Sequence, residues 1–115
     1  MSIPSEIQDI IDRLNEELRQ IEQEATGGMN LIRPLLELFP NNDILVSFFA
    51  ALNNSLFLVE IYKRRLDSIV ELLLPENVTA EIVQNAGEEL GDLLGRALES
   101  KIGLEQIIER LERLQ

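Results

Sequence analysis

From Ile44 to Val59 the chain carries no charged residue, and three of its four Phe residues fall within that run. Read at about 100° per residue, Leu45, Phe49, Leu52, Leu56, Val59, Leu66, Val70 and Leu73 line one face of a helix expected over roughly Asp43 to Leu74. The opening spacing of 4, 3, 4, 3 is that of a coiled-coil seam. A second set, Val46, Ala50, Phe57 and Ile61, lies well over a quarter turn further round at the same pitch, with Asn54 close beside it. A surface helix has one apolar stripe; a helix with two is sandwiched or buried all round. The pattern therefore predicts a central helix that the rest of the chain wraps.

The flanking segments read as amphipathic helices. Ile7, Ile11, Leu14, Leu18 and Ile21 repeat at 4, 3, 4, 3, and Ser5 and Gln8 have capping-box spacing. Gly27-Gly28 predicts a break or kink, since each glycine costs about 1 kcal/mol relative to Ala in a helix. The heptad phase nevertheless survives through Ala25, Ile32 and Phe39, and the expectation is one long, bent arm ending at Phe39. Pro40 to Asp43 is a tight joint with Asn42 or Asp43 as cap; Pro75 to Thr79 is the second, with Thr79 as cap. The last helix, from about Ala80 onward, repeats Val83, Leu90, Ala97, Leu104 and Leu111, with a coiled-coil-like end that extends past the body. Gly87, Gly91 and Gly95 form a small-residue groove beside this seam, expected to serve close helix packing.

Residues 1–115 thus form a single helical domain of the all-α class, an antiparallel three-helix, up-down-up, coiled-coil-like bundle. A three-helix unit gives the central helix two neighbours, which cover one broad side. Val46, Ala50, Asn54, Phe57 and Ile61 are then expected to form an interface between copies of the chain. A membrane span is the weaker account, because the uncharged run is shorter than the roughly 20 residues needed to cross hydrocarbon. Ser47, Asn53, Asn54 and Ser55 also interrupt it.

Composition narrows the chemistry. The chain has neither Cys nor His, which removes disulfides, thiolate ligands and nucleophiles, and the commonest general base and metal ligand. Met-Ser-Ile-Pro-Ser-Glu has no basic or apolar leader region, so a cytoplasmic location is the default expectation. A net charge of −11 opposes nucleic-acid backbones and anionic membranes. The basic cluster Lys63-Arg64-Arg65 points in three directions on a helix, so local ion pairs are expected in preference to a phosphate site. Lys63 is expected near the core face, its stem laid along apolar surface. Glu16-Glu17, Glu88-Glu89-Asp92 and Glu105, Glu109, Glu112 read as solvated faces; no Glu-x-x-His pair or calcium-loop pattern accompanies them. No catalytic, cofactor or metal residues are expected, and no cofactor. A buried Asn54 in the second stripe would fix register against its symmetry mate, whereas an exposed one would not.

The Met1 to Pro4 opening, Phe48-Phe49-Ala50-Ala51-Leu52-Asn53-Asn54, Lys63-Arg64-Arg65 and the stretch from Gly87 to Arg96 together resemble a group of small cyanobacterial helical proteins of unassigned function. Some of these carry the label of a type I restriction endonuclease specificity subunit. That resemblance implies the long helices separating target-recognition domains, and not the recognition domains themselves. The function expected is a non-enzymatic helical scaffold or adaptor that self-associates and meets a further protein partner. The alternative is a regulatory or nucleic-acid-associated subunit of a larger assembly, touching its ligand through Lys63, Arg64 and Arg65. Salt-dependent retention on DNA separates the two.

Overall fold

Three long apolar repeats joined by two short connections leave the chain one economical arrangement, helices laid side by side with alternating direction. The computed structural model, which describes residues 3–114, has this form. Met1 and Ser2, part of the opening tetrapeptide noted above, lie outside the described residues. The helices are α1 (Ser5–Leu38), α2 (Asp43–Leu73) and α3 (Ala80–Arg113). A 34-residue helix is about 50 Å long at 1.5 Å per residue. The molecule measures 59 × 18 × 16 Å, so all three helices run its full length.

Leu14, Leu18, Ile21, Ala25 and Ile32 of α1 form the spine of the core, with Leu52 of α2 and Leu90, Ala97, Leu104 and Leu111 of α3 packed against them. No polar or charged residue is buried among the described residues. Each large aliphatic side chain so enclosed contributes roughly 1.5–3 kcal/mol relative to exposure. Leu111 is fully buried, so the end of α3 packs on the body and does not extend past it.

The helix that organises the bundle is α1, not α2. It packs more extensively on each of the other two than they pack on each other. On α2, Leu45, Leu52, Val59, Leu66 and Leu73 are buried at intervals of seven, joined by Phe48 and Ile69. Phe49, Leu56 and Val70 are only half-buried. The expectation of a wrapped central helix is corrected here: α2 meets its neighbours along one side and leaves the other open.

The glycine pair does not break α1, and Leu38 rather than Phe39 ends it. Gly28 is the most crowded of the glycines: a Cβ there would come within 2.6 Å of Ile108 Cδ1 and 2.8 Å of Leu52 Cδ2. A methyl group there would oblige the ends of these two side chains to shift. Pro34 also lies within α1. Both Pro34 and Asn30 are exposed, so the helix turn that loses a backbone donor at Pro34 lies on the outer surface of α1.

Two of the three expected caps form. Asn42 Oδ1 accepts from the Leu45 amide at 3.1 Å, and Thr79 Oγ1 from the Ile82 amide at 3.2 Å. The Ser5–Gln8 capping box does not form. Pro4 is the N-cap, its carbonyl accepting from the amides of Ile7 and Gln8. Ser5 is therefore already inside the helix, and the Gln8 amide donates to Asp12 instead.

Candidate functional site

The outer face of α2 is the feature a solitary bundle explains least. Asn42 sets the phase in which α2 begins, and the buried heptad positions then pin its inner side to α1 and α3. The remaining turns carry Val46, Ala50, Asn53, Asn54, Phe57 and Ile61 to the outside, all exposed. Phe57 is 61% exposed, Val46 47% and Ile61 38%. Over these turns the surface has no charged group until Glu60. Asn53 and Asn54 at the middle of the strip have no partner within the chain among the described hydrogen bonds. α2 is also long and apolar enough to cross a membrane by length and composition.

The basic cluster closes the strip at its C-terminal end, and its members diverge. Lys63 Nζ pairs with Glu22 Oε2 of α1 at 2.6 Å, and Arg65 with Glu89 of α3 at 3.5 Å. Arg64 reaches only Glu60 of its own helix, at 3.9 Å. The cluster thus clamps α2 to both neighbours and leaves Arg64 on the outer face. Lys63 is exposed, and its position near the core is corrected to the rim, where α1 supplies an acidic partner.

Gly87, Gly91 and Gly95 are not brought together against another helix. A Cβ on Gly87 would touch Ile7 Cδ1 at 3.6 Å, while Gly91 and Gly95 have nothing within 4 Å. The groove is corrected to a single light contact followed by open surface, because the i, i+4, i+8 line drifts off the seam facing α1.

Two features carried no local signal in the sequence. Leu38, Phe39, Ile44 and Leu114 are exposed around the α1–α2 turn, and Phe39, Ile44 and Leu114 line a shallow cleft there with Leu35 and Leu45. Between α1 and α3, Lys101 Nζ donates to Glu17 Oε2 at 3.0 Å and also to Gln20. The bond to Glu17 raises the Lys101 pKa above its ordinary value. Beside them Glu24 has one carboxylate oxygen buried without a partner. Desolvation, and then the Glu105 charge, push its pKa up. Both features depend on residues far apart in the chain that only helix packing places together.

Among the described residues no group of three or more acidic side chains is placed to hold a metal ion. Glu16, Glu89 and Glu109 face Arg19, Arg65 and Arg113 respectively.

No protein family model matches this chain, and no curated protein or solved structure matches it.

Proposed function

We propose that this protein is a non-enzymatic helical scaffold or adaptor that works through helix–helix contacts and associates with itself along the outer face of α2. The observation that carries this reading is the exposed apolar strip Val46, Ala50, Phe57 and Ile61, free of charge until Glu60, in a chain of net charge −11. Contiguous apolar surface of this kind marks interaction sites on soluble domains. Two copies related by a two-fold axis present the same strip to each other, which is the commonest closed arrangement. Covering Phe57 and Ile61 on each side contributes on the order of 1.5–3 kcal/mol per side chain, set against the cost of association.

Sedimentation velocity at micromolar concentration tests the reading. The wild type is expected as a dimer or higher oligomer, and Phe57→Asp as monomer or aggregate, because a carboxylate would then lie unpaired in the seam. A wild type that sediments as a clean monomer would exclude self-association through α2. The acidic surface supports a protein partner over a nucleic acid; retention on DNA that weakens with salt would reverse that preference.

A further inference from the structure

The outer strip of α2 reads almost the same from either end. Ala50, Val46 and Asp43 stand three, seven and ten residues before Asn53; Phe57, Ile61 and Arg64 stand three, seven and ten residues after Asn54. These steps keep all eight residues on one face of the helix. From this symmetry we infer that two copies of the chain pair antiparallel through α2, with the two-fold axis passing between Asn53 and Asn54. The inference rests on self-association through this face and adds its direction and register.

In that register each contact is complementary. The large Phe57 lies opposite the small Ala50 of the second copy, and the Ile61 branch opposite Val46. Asn53 and Asn54, exposed in the single chain, meet the same pair across the axis, where each amide has both a donor and an acceptor to offer. Arg64, whose only ion pair among the described residues is the 3.9 Å contact with Glu60, is carried to Asp43 at the start of the opposing helix. A parallel pairing in register would instead set Phe57 on Phe57, leave Ala50 facing Ala50, and bring the two Arg64 side chains side by side. Like charges at that end of the seam would oppose it.

The absence of cysteine makes the register directly readable by single-cysteine cross-linking. Val46→Cys and Ile61→Cys proteins are prepared separately, checked for helical content and oligomeric state, and treated with a short bismaleimide alone or after equal mixing. In the antiparallel register, Val46 of one copy lies about 22 Å along the axis from Val46 of the other, since fifteen residues separate the facing positions. Each variant alone is therefore expected to remain uncross-linked. The mixture should yield covalent dimer approaching half of the chains, the statistical share of mixed pairs. Covalent dimer from Val46→Cys alone would overturn the inference in favour of parallel pairing. A sedimenting dimer that cross-links in neither case would place the contact elsewhere, and the register fails while self-association stands. A wild-type monomer would remove both, and a monomer that floats with neutral phosphatidylcholine vesicles would assign the strip to a bilayer.

Discussion

Gly27 and Gly28 stand side by side in α1 and meet opposite surroundings. A methyl group on Gly27 would touch nothing, whereas one on Gly28 would press on Leu52 and Ile108 inside the core. Gly27→Ala should therefore stabilise the fold by about 0.5–1 kcal/mol through backbone entropy alone. Gly28→Ala gains the same propensity but must displace the ends of Leu52 and Ile108, so urea denaturation should place it below Gly27→Ala, by about 1 kcal/mol. Glu24 offers a second test at this scale. Its folded-state pKa is raised, chiefly by desolvation, so the folded protein holds the proton more tightly than the unfolded chain. Protonation at Glu24 thus favours folding, and that contribution is lost as pH rises from the ordinary glutamate value of 4.5 through the raised one. Glu24→Gln should therefore melt above the wild type at pH 7, because the amide carries no charge to desolvate. The gap should close below pH 4. A constant gap across pH would mean that the amide acts by packing and not by removing a charge.

Each helix draws its start from one residue. Asn42 and Thr79 accept from amides three positions on, and replacing either by Ala should cost about 0.5–2 kcal/mol. Ser5 makes no such bond, so Ser5→Ala is expected to stay within about 0.5 kcal/mol of the wild type; chemical denaturation of the three variants checks the contrast. The difference shows what local pattern can and cannot carry. Thr79 follows chain that has left one helix and precedes the next apolar repeat, so its role is legible from neighbours alone; the same logic narrowed the α2 cap to Asn42 or Asp43, and the structure takes Asn42. Ser5 had the same credentials, but Pro4 supplies the capping carbonyl one residue earlier and moves Ser5 inside. Gly27-Gly28 misled in the other direction: local propensity argues for a break, while burial of the α1 stripe on both sides of the pair outweighs about 2 kcal/mol of lost propensity.

At the scale of the molecule, an oligomer held by the α2 face ties folding to concentration. The melting temperature of the wild type should rise with protein concentration over the micromolar range, and that of Phe57→Asp should not. A scan that is flat for both would argue that the single bundle folds without help from a second copy. The sequence by itself determined that the chain is three antiparallel helices, where the joints fall, and the heptad line Leu45, Leu52, Val59, Leu66 and Leu73 that faces inward on α2, because each follows from spacing along one helix; packing then chose Phe48 and Ile69 over Phe49, Leu56 and Val70 for the positions between. It also determined that α2 carries two apolar stripes. Only the tertiary structure decided which helix sits at the centre. That place went to α1, whose Gly28 admits Leu52 and Ile108 at close range. The second stripe of α2 lies exposed, as two neighbours covering one broad side of that helix had implied. Only packing decided, too, that Gly91 and Gly95 face open surface, and that Glu17, Glu24 and Lys101 meet across α1 and α3. Periodicity records the face a residue occupies on its own helix; the neighbour opposite that face is chosen by close packing among residues far apart in the chain.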